Sequence, residues 1–143
     1  MNIYQAAEEH HPEIINIWEA SVRATHHFLT EADIARYKEL IKNDYINRVS
    51  LYCTRHHDRI TGFIGLRDGM VQMLFIDPAM RGQGIGKRLL QYAINERGIN
   101  QVDVNEQNLQ ALNFYRYMGF EVTGRIETDG AGKPYPILKM HLI

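Results

Sequence analysis

Val71-Gln72-Met73-Leu74-Phe75-Ile76-Asp77-Pro78-Ala79-Met80-Arg81-Gly82-Gln83-Gly84-Ile85-Gly86-Lys87 reads as a strand, a break and a glycine-rich turn. Val71 to Ile76 is an apolar run of strand length, and Asp77-Pro78 ends it. Downstream, Ile85, Leu89, Leu90, Ala93 and Ile94 fall on one helical face. A strand, a glycine turn and a helix in that order make an anion cradle. Glycine lets the backbone approach a ligand and take positive φ without a Cβ clash. The N–H groups of the first helical turn lack intrahelical acceptors, and the helix dipole favours negative charge there. Arg81, Lys87 and Arg88 add positive charge nearby. A Walker A loop would need glycine at Arg81 and serine or threonine at Arg88, which disfavours a mononucleotide P-loop. The dinucleotide fingerprint G-x-G-x-x-G fails as well, because lysine stands at 87 and the turn lies past the chain's midpoint.

Arg81-x-x-Gly84-x-Gly86 does resemble the coenzyme A pyrophosphate loop of the GNAT N-acetyltransferases, Q/R-x-x-G-x-G/A. A second segment agrees: Asn108, Ala111, Phe114, Tyr115, Gly119 and Phe120 fall on a pattern similar to that family's N-x-x-A-x-x-F-Y-x-x-x-G-F. Ile17-Trp18, Ser21-Val22, Ala24 to Leu29 and Gly132 to Pro136 resemble the small bacterial YjaB-type members. The resemblance covers essentially the whole chain. It implies one α/β domain over 1–143, with a mixed, largely antiparallel central sheet flanked by helices and splayed between the fourth and fifth strands. It also implies acetyl-CoA as cosubstrate. The pantetheine arm would enter the splay as an added strand. The pyrophosphate would sit on Arg81, Gly82, Gln83, Gly84, Ile85, Gly86 and Lys87. The thioester would lie beside Leu74, Phe75 and Ile76, with Asn108 bonding the arm. Asn108 is alternatively a plain helix cap.

The reaction implied is direct attack of an amine on the thioester. The amine must be neutral, because a lysine-like ammonium with a pKa of about 10.4 has no free lone pair. A backbone N–H within 74–76 would stabilise charge on the carbonyl. On the motif Tyr115 is the general acid for the leaving thiolate. Its alternative is an aromatic packed on Phe120. The base stays open among Asp103, His26 and Glu106. Asp103 shares a strand face with Asn105. His26 belongs to the first helical hairpin and has an ordinary pKa suited to work near neutrality. No base is required if the amine arrives deprotonated. The acceptor is a protein lysine or a small primary amine, and no acidic cluster marks a polyamine or aminoglycoside site. A coenzyme A-binding sensor with little catalysis is the rival reading, and it would have no need of Tyr115.

Bulk properties agree with a soluble enzyme. The 143 residues are 45% hydrophobic and 23% charged, enough for one real core. Sixteen basic and 17 acidic residues leave a formal charge of -1, so no general nucleic-acid or anionic-membrane surface is expected. No apolar run reaches the roughly 20 residues of a membrane span. The start lacks the basic and apolar regions of a signal peptide. The lone Cys53 sits in an apolar strand-like run, which fits an inert thiol and a cytoplasmic setting. His10-His11, His26-His27 and His56-His57 are adjacent pairs that point to different faces, so no metal is expected. Monomer and homodimer both remain open.

The remaining periodicities predict strands at 2–7, 50–55, 59–66, 70–76, 99–104, 120–127 and 135–142. Helices are predicted at 11–25, 31–43, 84–97 and 108–118. Thr30 should cap the second helix with Asp33 three residues on, and Gly98 and Gly119 should end the last two. Gly119 would then set Phe120 against the helix and fix where Tyr115 points. Pro134 and Pro136 stiffen the approach to the last strand, where Tyr135 walls the acceptor pocket or packs on a surface turn.

Overall fold

The computed structural model describes residues 2–143. In chain order the strands are β1 (Ile3–Gln5), β2 (Ser50–His56), β3 (Arg59–Arg67), β4 (Met70–Ile76), β5 (Gln101–Asn105), β6 (Phe120–Ile126) and β7 (Ile137–Leu142). The α-helices are α1 (His11–Thr25), α2 (Glu31–Asn43), α3 (Ile85–Arg97) and α4 (Leu109–Tyr117). One sheet holds all the strands in the order β1-β2-β3-β4-β5-β7-β6. Every neighbouring pair is antiparallel except β4–β5.

β3 lies inside the sheet, between β2 and β4, and every residue from Ile60 to Leu66 is buried. Its alternation feeds two cores. Phe63 packs with Ile14, Trp18 and Ile34 on the α1–α2 face. Ile64 and Leu66 pack with Leu89, Leu90 and Leu112 on the α3–α4 face. The Ile85, Leu89, Leu90 and Ala93 stripe is buried as its spacing predicts. In α1 the buried stripe is Ile14, Ile15, Ile17, Trp18, Ser21 and Val22. Ala20, three residues after Ile17, falls at the edge of this stripe and is exposed.

The parallel pair is short. β4 and β5 share only the registers Met70–Gln101 and Val71–Val102. Beyond them β4 stays on β3 as far as Gly62–Ile76, while β5 stays on β7 as far as Asn105–Ile137. The two strands therefore part at their C-terminal ends, as expected. β7 starts at Ile137 rather than at 135, since Pro136 has no N–H to donate to a ladder. Three short 3-10 turns, Glu8–His10, Tyr45–Asn47 and Pro78–Met80, were not foreseen. The last of them joins β4 to the glycine turn.

Helix ends follow the local signals. Thr30 and Asp33 form a reciprocal capping box, with Asp33 N–H on Thr30 Oγ1 at 3.0 Å and Thr30 N–H on Asp33 Oδ2 at 3.3 Å. Gly98 (φ +66°) and Gly119 (φ +99°) take the positive φ that ends α3 and α4. Phe120 then meets Tyr115 edge-on, with ring centroids 5.7 Å apart. Cys53 is fully buried, and burial pushes its thiol pKa up, as an inert thiol requires. No helix among the described residues is long and apolar enough to cross a membrane.

Candidate active site

The glycine turn is built on the end of β4. Asp77 N–H donates to Thr61 C=O at 2.9 Å, and Asp77 Oδ1 accepts from Ala79 N–H at 3.0 Å. Gly82 (φ +78°) and Gly84 (φ +76°) then turn the chain, and a Cβ at either would meet nothing within 4 Å. Backbone conformation, not room, is what demands glycine there. Gly84 caps α3, and the first intrahelical bond runs from Arg88 N–H to Gly84 C=O at 3.0 Å. The N–H groups of 85–87 precede that bond and have no intrahelical acceptor. Behind the turn, a Cβ on Gly62 would lie 2.8 Å from Ile76 Cδ1 and 2.9 Å from Ile85 Cγ2. The bare glycine lets the first turn of α3 press onto β3.

A cavity of about 310 Å³ opens between this turn and the splay. Its wall includes Leu74, Phe75, Ile76, Arg81, Gly82, Gly84, Ile85, Gly86, Lys87, Asn108 and Tyr115. Gln83 lies in the turn but not in the wall. Ser21, Thr25, Met80, Gln110, Ala111 and Phe114 also line it; Ala111 and Phe114 carry the second motif and Ser21 and Thr25 lie in the resembling first-helix segment, but none of the six is among the expected site residues. A second cavity of about 110 Å³ lies across the splay and includes Asp103 and Asn105. The two share His26, Leu74, Phe75, Asn108, Ala111 and Tyr115. That shared seam is where a group held in one cavity meets a group entering from the other.

Tyr115 sits in the seam, 6% exposed. Its ring packs edge-on against Phe114 and Phe120, at 5.2 and 5.7 Å. Packing and a polar role therefore coexist. Burial raises its pKa, so the phenol stays protonated throughout the neutral range. Among the described residues its hydroxyl has no hydrogen-bond partner. Tyr117, two positions on, is 74% exposed, with Lys87 Nζ 5.6 Å from its ring centroid.

The three base candidates separate. Glu106 lies outside both cavities and holds Arg125 through two contacts, at 2.6 and 3.2 Å. The arginine lowers its pKa. Asp103 faces the second cavity, 3.9 Å from Lys139 Nζ. His26 lies in the seam, but its pKa is pushed down to about 4 by burial and, secondarily, by His27. The near-neutral pKa expected of it does not survive burial, because desolvation penalises the imidazolium.

Beside the seam, Phe28 stacks between His26 (5.4 Å) and Tyr135 (5.6 Å). Tyr135 donates its hydroxyl to the buried carboxylate of Asp33, and Lys133 Nζ lies 3.4 Å from the same group. Tyr37 donates to Asp129. These bonds tie the segment 129–135 to α2. The Tyr135 bond, with help from Thr30 and Lys133, holds the Asp33 pKa down at about 2. A depressed carboxylate stabilises the fold above its ordinary pKa of about 3.9, and that contribution is lost as pH falls through about 2. Amide NMR signals of 129–135 should therefore shift between pH 4 and 2 in the wild type. In Asp33→Asn they should already be displaced at pH 7.

The comparisons with known proteins agree with this geometry. Residues 7–140 match the family described as acetyltransferase (GNAT) domain. The chain is 43% identical over 141 residues to peptidyl-lysine N-acetyltransferase YjaB of Salmonella typhimurium, covering 98% of this chain and 97% of that protein. The chain belongs to the GNAT acetyltransferase family. The solution structure of apo YjaB from Escherichia coli superposes on this GNAT fold with a TM-score of 0.90 at 36% identity, covering 99% and 97% of the two chains. An N-acetyltransferase of Thermoplasma acidophilum in complex with coenzyme A shares the GNAT fold at 22% identity, with a TM-score of 0.75 and coverage of 97% and 98%.

Proposed function

We propose that this acetyltransferase moves the acetyl group of acetyl-CoA to the ε-amine of lysine in a protein substrate, with Tyr115 as general acid. The observation that carries the reading is Tyr115, a buried ring whose hydroxyl has no hydrogen-bond partner among the described residues, in the seam between the two cavities. The cosubstrate fits: two glycines at positive φ with open space above them, free helix N–H groups, and Arg81 and Lys87 alongside suit a pyrophosphate. When bound, acetyl-CoA supplies the activated acetyl group. The parted edges of β4 and β5 would hold its extended arm, with Asn108 at their mouth. Tyr115 would donate its proton toward the leaving sulfur, and a backbone N–H of 74–76 would face the carbonyl.

Lysine as acceptor rests on the names of the relatives and on charge. Around the seam each carboxylate already has a cationic or hydroxyl neighbour: Asp33 with Tyr135 and Lys133, Asp129 with Tyr37, and Asp103 with Lys139. A polycationic amine finds little to hold there, whereas the aliphatic stem of a lysine suits the Phe28–Tyr135 wall. Asp103 is the remaining carboxylate on the acceptor side and is assigned as the base when one is used. Mass-spectrometric detection of acetyl transfer to lysine peptides, polyamines and aminoglycosides tests the reading. Transfer to peptides alone is expected. Acetyl-CoA binding without transfer to any of them would favour the sensor reading, and transfer to polyamines would overturn the lysine assignment.

A further inference from the structure

The polar atoms around His26 form one chain whose proton positions can be deduced. Thr25 Oγ1 lies 2.8 Å from the Ser21 carbonyl, which can only accept, so the single hydroxyl proton points there. Thr25 Oγ1 is also 2.8 Å from His26 Nδ1, so that nitrogen must be the donor. At the other end, Asn108 Oδ1 accepts from Ala111 N–H at 3.1 Å, which fixes the amide with its NH₂ toward His26. Asn108 Nδ2 is 3.3 Å from His26 Nε2, so Nε2 must carry a lone pair. Every bond is satisfied by one species, the neutral imidazole protonated at Nδ1. An imidazolium would set an Nε2–H against the Asn108 NH₂. Burial, and secondarily His27, favours the same neutral form on separate grounds.

The bond also has a particular place in the fold. His26 is the C-cap of α1 and Asn108 the N-cap of α4, so the contact joins two helix ends across the mouth of the splay. Asn108 and Tyr115 are seven residues apart, two turns along one face of α4. A swing of the cap would therefore be felt at the Tyr115 hydroxyl.

We infer that His26 is a positioning residue and not the base: as its Nδ1–H tautomer it holds the Asn108 amide, and through α4 it aims Tyr115 into the seam. The inference rests on the acetyl-transfer reading for its kinetic consequences but not for its tautomer. Nitrogen-15 NMR of the wild-type imidazole at pH 7 should find Nδ1 protonated and Nε2 bare. His26→Leu, which removes the acceptor, should lower kcat about ten-fold, the weight of one hydrogen bond, with a smaller change in KM for acetyl-CoA. His26→Gln keeps an acceptor and should restore most of that loss. The acidic limb of the pH–rate profile should be the same in all three proteins. An Nε2–H tautomer or an imidazolium at pH 7 would overturn the inference, as would wild-type kinetics in His26→Leu. So would a glutamine variant as impaired as the leucine one with its acidic limb gone, the pattern of a general base. If wild type transfers no acetyl group to any acceptor, the proposed function fails, while the tautomer measurement still decides the hydrogen-bond chain.

Discussion

Tyr115→Phe should lower kcat about a hundred-fold while leaving KM for acetyl-CoA nearly unchanged, as the loss of the proposed general acid alone requires. The substitution is clean because the phenylalanine ring keeps both edge contacts, to Phe114 and Phe120. The hydroxyl lost has no protein partner among the described residues, so no buried group is left unpaired. Melting temperature should stay within a few degrees of wild type. The kinetic signature separates the roles: a packing residue would change stability with little effect on rate, and an acid does the reverse. The pH dependence carries the same information. With the Tyr115 pKa raised by burial, kcat/KM should climb as the acceptor amine deprotonates, with no descending limb below about pH 10, the ordinary tyrosine value. A fall near pH 9 would assign the acid to a different group.

Gly62→Val should be the most damaging change outside the seam. The space a side chain would take is already filled by Ile76 Cδ1 and Ile85 Cγ2, both under 3.0 Å from the ideal Cβ, with the Phe75 carbonyl at 3.3 Å. Ile85 Cγ2 sits on a β-branched carbon that is stiff at χ1, so it yields poorly, whereas Ile76 Cδ1 can turn about χ2. Overpacking of this kind costs about 3 kcal/mol, or about 10 °C in a chain this long. Gly62→Ala should cost about a third of that, since only the Cβ must be accommodated. Thermal melts of the two variants check the gradient. The damage should also reach the ligand. Ile76 ends β4 and Ile85 opens α3, and both line the larger cavity. Displacing them moves the anion turn, so acetyl-CoA affinity should fall in Gly62→Val more than global stability alone explains. Unchanged melting in Gly62→Val would mean that α3 does not press on β3.

What the sequence disclosed was what is decided locally. The β4–turn–α3 unit is readable because a strand run, Asp77-Pro78, spaced glycines and a helical stripe all sit within one stretch. The Thr30–Asp33 cap and the Gly119 stop are readable for the same reason. Order in space was not. β7 slips between β5 and β6, and no local signal says so. The short 3-10 turns lack a periodicity long enough to see. Of the candidate site, the glycine turn is a local motif, and the structure puts it in the wall of the larger cavity, whereas the side across the splay depends on partners far apart in the chain. Asp33 reaches Tyr135 102 residues away, and His26 reaches Asn108 across 82. Arg125, 19 residues beyond Glu106, engages that carboxylate. Burial takes His26 out of the neutral range.

The two-register pairing of β4 with β5 has one more consequence. An open strand edge on a protein surface is a template for other chains, and small domains ordinarily blunt such edges to avoid aggregation. Here an open edge lies in the middle of the sheet, with β3 behind one lip and β7 behind the other. Helices cover both faces of that sheet. A second polypeptide would have to thread its side chains between those layers, whereas a narrow extended arm would slide in end-on. The fold thus keeps a reactive edge permanently available and restricts access to it by width.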